Sequence, residues 1–271
     1  MLGKLNLTIQ ADEFNQSRMT EMSYSTPIKL MRPFYLDDIG TAYVYLMDLA
    51  GGVLAGDQLH YNICVNPRAH LYLTNTTATK IHPMENGFAN IQSRFYIGEH
   101  ASLEYFPEEV ILFEKSKLEN DTIVELSSNS VFVFSEIIFM GRKHYGELHK
   151  FSKFRTNFVI KLDGKTIIWE KFDISPVTRH LNGLGYMEQN SHYGSMYLYS
   201  KENDGKLLAL IREIIQGMNE KLHMGCSLHT SGMLIVKALS NNHYSIQRGF
   251  KKIWQMIRPI LLKEEMPHIR K

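Results

Sequence analysis

The sequence predicts a mainly β protein with two amphipathic helices in its C-terminal half, and three observations carry that expectation. From about Thr41 to Leu239 the chain runs in short alternating stretches punctuated by Gly, Asn, Asp and Pro. Between Val131 and Met140 it is almost continuously apolar and rich in β-branched and aromatic residues. Only beyond residue 205 does the apolar spacing change to that of helices.

The elements follow in order. In 59–65, Leu59, Tyr61, Ile63 and Val65 share one face while His60, Asn62 and Cys64 share the other. The stretch 91–97 repeats the pattern, Ile91, Ser93, Phe95 and Ile97 alternating with Gln92, Arg94 and Tyr96. The segment VFVFSEIIFM at 131–140 reads as a strand covered on both faces, with Glu136 in its middle. In FVIKLDGKTIIWEKF two strand-like runs meet at Asp163-Gly164, a dipeptide suited to the left-handed conformations of a tight hairpin. Leu207, Leu208, Ile211, Ile214, Ile215 and Met218 predict a helix over 206–220. Ile246, Phe250, Ile253, Trp254, Ile257 and Leu261 predict a second over 245–263, with Pro259 expected to bend or end it. No linker, low-complexity tract or long-period repeat divides the 271 residues, so a single domain over 1–271 is expected.

Composition narrows the function classes. Hydrophobic residues at 44% and charged residues at 21% are ordinary for a folded soluble chain. Thirty Lys plus Arg against 28 Asp plus Glu, scattered without a basic stripe, argue against nucleic acid as a partner. Two cysteines, Cys64 and Cys226, cannot build a disulfide framework, which fits a reducing cytoplasm. No signal-peptide core or membrane-length apolar run is seen, so no membrane partner is expected.

Enzymatic signals are partial. Gly164-Lys165-Thr166 resembles the end of a phosphate loop, but the glycine required five residues earlier is Val159, and a strand follows where a helix must begin. Twelve histidines include no HExxH pair. His223, Cys226 and His229 are the densest soft-ligand group and would bind a late transition metal only if a turn gathered them. Glu108-Glu109, Glu136, Glu147 and Glu170 are candidate carboxylates for glycoside cleavage, yet their spacing specifies no pair.

Several ordered blocks resemble the urease accessory protein UreD family, called UreH in some systems. They are PIKLMRPFYLDDIGTAYVYLMDLAGGVLAGDQL at 27–59, LTNTTATKIH at 73–82, LEYFPEEVILFEKS at 103–116, SEIIFMGRKHYGEL at 135–148, WEKF at 169–172, GCSLHTSGMLIVKAL at 225–239 and the closing WQMIRPILLKEEMPHIRK. Departures from the family pattern are Ala50 before the double glycine, Ala55-Gly56 for a second Gly-Gly, Phe106 for Leu, and Pro267-His268-Ile269-Arg270 at the end. The resemblance implies a stacked or β-helical sheet scaffold without catalysis. It also implies binding to apo-urease, to UreF and, through UreF, to the GTPase UreG. Nickel in transit along a water-filled passage is then the cargo, with no permanently bound cofactor; a pure adaptor that opens apo-urease without conducting nickel is the alternative.

An ion in transit needs weak oxygen ligands, so Asp57, Thr77, Glu136, Glu147 and Glu170, each in a family-like block, are the candidates for the path. Asp57 has a second reading as the cap of the Gly51–Gly56 turn. For UreF contact the last helix is the candidate surface, through Phe250, Trp254, Ile257 and Leu261.

Overall fold

The computed structural model describes residues 1–178, 180–218 and 222–269. Its strands are β1 Leu2–Ala11, β2 Ser17–Tyr24, β3 Ile28–Leu30, β4 Ala42–Asp48, β5 Gln58–Val65, β6 His70–Asn75, β7 Thr79–Ile81, β8 Ala89–Ile97, β9 Ser102–Phe106, β10 Val110–Leu112, β11 Lys117–Leu126, β12 Val131–Phe139, β13 Lys153–Leu162, β14 Lys165–Ile174 and β15 His192–Tyr199. Helix α1 (Gly205–Gln216), β16 (His223–Leu228), β17 (Met233–Ser240) and helix α2 (His243–Leu261) complete it.

The chain winds between two sheets as it advances. The first has the order β14-β13-β11-β8-β5-β1-β2 and the second β16-β17-β15-β12-β9-β6-β4-β3. From β4 to β13 successive turns deposit one strand in each sheet, and β5, β8, β11 and β13 are mutually parallel, as are β4, β6, β9 and β12. That repeat is a β-helical coil, with short parallel β7 and β10 on a third side. Antiparallel strands close both ends: β2 and β3 at the start, β14, β15, β17 and β16 at the finish.

Each strand's alternation tells which face it buries. Leu59, Ile63 and Val65 of β5 enter the inter-sheet core, as read from the sequence. Strand β12 is apolar throughout because both faces are covered: Phe132, Phe134 and Ile138 point between the sheets, while Val133 and Ile137 meet the helices outside. Asp163 and Gly164 take positive φ of 46° and 79°, the hairpin conformation expected between β13 and β14. Strands begin earlier than the sequence reading placed them, since Leu5, Leu7 and Ile9 of β1 already alternate into the core.

Both helices lie on the outer face of the second sheet. Asp204 caps α1 by accepting from the backbone N–H of Lys206 and Leu207, and Asn242 caps α2 through Tyr244. Helix α1 ends at Gln216; the rest of the expected 206–220 span includes residues 219 and 220, which lie outside the described residues, as does the terminal Arg270. Gly194 lets α2 settle closely, because a Cβ there would stand 2.6 Å from the Ile246 side chain and 3.0 Å from the Phe250 ring. Pro259 does not stop the helix where it stands. Helix α2 runs on to Leu261, and Leu262 N–H closes the end on Arg258 C=O at 2.8 Å. So near the C-terminus the missing proline donor costs a single hydrogen bond.

The expected partner surface on α2 needs correction. Phe250, Trp254 and Ile257 are at most 1% exposed and Leu261 is half-buried, all packed with Val133, Ile137, Leu198 and Val236 of the sheet. An apolar helical stripe beside an uncovered sheet face is used internally first, because burial of that area drives the docking. Beneath it lies a buried ion cluster. Arg258 donates from Nε to Glu104 (3.0 Å) and from Nη2 to Asp37 (2.6 Å) and Tyr43 Oη (3.1 Å), while Trp254 Nε1 donates to Glu104. Among the described residues no helix is long and apolar enough to cross a membrane.

Candidate functional site

Polar side chains interrupt the inter-sheet core along one line. In the first sheet Tyr61, Ser93, Thr122 and, after Phe158, Glu170 stand in register, and Asn120 and Thr156 pair in the adjacent row. In the second sheet Glu136, Ser195 and Lys237 are register partners on β12, β15 and β17. Asp48 and Asn75 share the inward parity of Leu46 and Leu73 on β4 and β6. Contacts across the gap confirm that the two rows face each other: Asn120 Nδ2 donates to Glu136 at 3.4 Å and Tyr197 Oη to Glu170 at 2.7 Å.

At the β14 and β15 end the stripe widens into a cavity of about 360 Å3. Glu136, Glu170, Tyr193, Ser195 and Tyr197 are among its polar residues, with Thr156, Lys171 and Asp173, while Phe154, Phe158 and Ile138 are among its apolar walls and the segment carrying Leu181 and Met187 completes the lining. Tyr61 and Tyr105 lie between the sheets packed against the core, Tyr105 against the rings of Phe95 and Phe134, while Glu136 faces the cavity.

The two carboxylates of the cavity differ. Burial pushes the Glu136 carboxyl up to about 7; nearby Lys237 opposes that rise and Glu170 adds to it. Glu136 forms no ion pair among the described residues, its hydrogen bond coming from Asn120. Glu170 is held by Lys237 Nζ at 2.6 Å and by the Tyr197 hydroxyl. Lys237 also donates to Tyr197 Oη at 2.8 Å and Ser195 Oγ at 3.2 Å. Burial, and then Glu170, raise the Tyr197 phenol far above its ordinary value, so it stays a neutral donor. The result is a largely apolar chamber into which two carboxylates and several hydroxyls project, Glu136 being the carboxylate without an ion pair among the described residues.

Of the five residues read as path candidates, Glu136 and Glu170 come together here and three lie elsewhere. Asp57 is buried in a turn, where it accepts the Leu54 N–H at 2.8 Å and pairs with the Met1 ammonium at 2.6 Å, its capping role. Thr77 is exposed in the turn between β6 and β7. Glu147 makes a two-pronged pair with Arg142, with Nε to Oε2 at 2.7 Å, and that guanidinium, which also stacks on Phe113 at 3.9 Å, lowers the Glu147 carboxyl. His223 and Cys226 project from opposite faces of β16, and His229 turns to Ser231, so no strand geometry gathers them. Burial raises the Cys226 thiol to about 11, which keeps it protonated and a poor ligand. Among the described residues no three His, Cys, Asp or Glu side chains form a metal-holding group. Of the carboxylates weighed for glycoside cleavage, Glu109 is engaged by His243 at 2.9 Å and His192 at 3.6 Å and Glu147 by Arg142, so Glu136 and Glu170 are the two that share a cavity, with Glu170 bound to Lys237.

Sequence reading missed Asp48, Asn75, Asn120, Tyr61, Tyr105, Ser195 and Lys237. Each sits at inward parity in an otherwise apolar alternation, as Lys237 does in MLIVKALS. That signal is faint because one polar residue in one strand means little until the register lines it up with others.

Comparison with known proteins follows this geometry. A family model described as UreD urease accessory protein matches residues 1–271. The urease accessory protein UreD of Bacillus cereus is 26% identical over 269 residues, covering 99% of this chain and 98% of that protein. UreH of Helicobacter pylori strain G27 is 30% identical over 238 residues, 88% of each chain. UreD of Sporosarcina pasteurii is 28% identical over 248 residues, 89% of this chain and 94% of its own.

Proposed function

The chain belongs to the UreD urease accessory protein family, and from that membership we propose that it supports nickel insertion into apo-urease by giving the ion a passage between its two sheets. Its place is in urease maturation, as an accessory protein rather than an enzyme. The single observation behind the passage reading is Glu136: a carboxylate without an ion pair among the described residues, facing a cavity of about 360 Å3 between the sheets at the β14 and β15 end of the coil. A carboxylate sealed in dry packing would lose several kcal/mol of solvation, about the cost of an unpaired buried charge. Space for water, and for an exchanging cation, lowers that cost.

In this reading the chain works in the cytoplasm within an assembly of apo-urease, UreF and, through UreF, UreG. The GTPase brings the phosphate loop that Val159 and the β13–β14 hairpin exclude here. With the apolar stripe of α2 buried, UreF contact at this helix falls to its outer face, where Met256 and Ile260 stand one turn apart and 50% and 38% exposed.

The test is urease activation in cells expressing urease and the other accessory proteins with Glu136→Gln in this chain. The passage reading expects the complex to assemble and nickel loading to fall severalfold. Normal loading by a correctly assembled complex refutes the passage and leaves the adaptor role.

A further inference from the structure

Lys237 presents an unusual arrangement for a core strand. Its ammonium bonds three residues that line the cavity, Glu170, Ser195 and Tyr197, with about a third of the Lys237 side chain still exposed at 34% and Glu170 23% exposed. It uses oxygen acceptors only: Glu170 at 2.6 Å, Tyr197 Oη at 2.8 Å and Ser195 Oγ at 3.2 Å. It also lies 4.7 Å from the Tyr197 ring centre. One carboxylate and two hydroxyls around a cation form the ligand class that a weakly held divalent ion takes. The second carboxylate, Glu136, stands on the same face two strands away, its register partner Ser195 lying between it and Lys237.

We propose that Lys237 is a built-in competitor for the travelling cation, its ammonium occupying the position at Glu170 that a divalent ion must take to bridge Glu170 and Glu136. The inference rests on the passage reading above and adds to it a residue that sets affinity. Charge counting gives the reason. Two ionised carboxylates carry a charge of minus two, which a divalent ion balances alone; an ammonium in contact with one of them leaves a surplus positive charge. That surplus weakens binding of the ion and favours its release, which turns a trap into a passage. In apo protein the same ammonium keeps Glu170 from standing unpaired in the cavity lining.

The experiment titrates the full chain with nickel(II) chloride alone by calorimetry, comparing wild type, Lys237→Met and Lys237→Met/Glu136→Gln. Removing a like charge at contact distance from a partly screened site is expected to tighten nickel binding about tenfold or more. The double variant is expected to lose that gain, which locates the gain in the cavity rather than on surface histidines. If circular dichroism shows that Lys237→Met does not fold, Lys237→Gln, equally uncharged, is titrated in its place. Affinity unchanged on loss of the charge, or a gain that survives Glu136→Gln, overturns the proposal. The two readings fail separately. Normal urease activation by Glu136→Gln sinks the passage whatever the titration gives, and an unaltered nickel affinity in the Lys237 variant sinks the competitor whatever activation gives.

Discussion

Replacing Glu136 by Gln changes one atom and removes a charge, so its effect on stability reports how the carboxyl is housed. In the folded protein burial raises that carboxyl from 4.5 to about 7. A rise of that size favours the protonated form by about 3 kcal/mol. The folded state therefore holds the proton more tightly than the unfolded chain. Wild-type stability is intact below about 4.5, declines as pH climbs, and has lost the full amount once pH exceeds about 7. Glutamine cannot ionise and shows none of this decline. Urea unfolding of both proteins at pH 5 and pH 8 measures it. The Gln variant is expected to lead by only about 1 kcal/mol at pH 5, where the unfolded carboxyl has begun to ionise, and by up to about 3 kcal/mol at pH 8, less whatever water in the cavity has screened. A difference between the two proteins that is the same at both pH values refutes the reasoning, because Glu136 would then titrate alike in the folded and unfolded chains.

Other expected outcomes follow from the same contacts. Arg258→Met strands Glu104 and Asp37 without their cation in a dry layer and is expected to cost about 3–5 kcal/mol in chemical denaturation. Gly194→Ala places a Cβ 2.6 Å from Ile246 and is expected to cost about 1–3 kcal/mol, with loosened α2 amides in hydrogen exchange. Burial alone would raise the Glu109 carboxyl, but the imidazoles of His192 and His243 beside it hold it down at about 2. Its depressed value means that stability present above about 4.5 is lost as pH falls toward 2, and Glu109→Gln is expected to flatten that part of an acid denaturation curve. Met256→Asp on the outer face of α2 is expected to leave the melting temperature within about 2 °C of wild type, since exposed substitutions move stability by about 0.5 kcal/mol or less. The same variant is expected to weaken UreF capture in a pull-down, and undiminished capture removes Met256 from the contact.

The strands, the hairpin and the helices were written in local pattern. Period-two alternation in 59–65 and 91–97, Asp163-Gly164, and the helical spacing of Leu207 and Ile246 are properties of neighbouring residues, and backbone geometry acts on neighbours. The family was legible too, because ordered blocks accumulate along the whole chain. Glu136 announced itself as a lone carboxylate in an apolar run. Pairing of distant strands was not legible. Only the register between β12, β15 and β17 brings Glu136, Ser195 and Lys237 side by side, and only the coil of parallel strands sets Glu170 opposite them. Tertiary structure likewise decided that Phe250, Trp254 and Ile257 face the sheet and not a partner, and that Asp57 and Glu147 are fastened by Met1 and Arg142. The reason is physical: local sequence fixes which side of an element is apolar, while what that side meets depends on elements tens to hundreds of residues away.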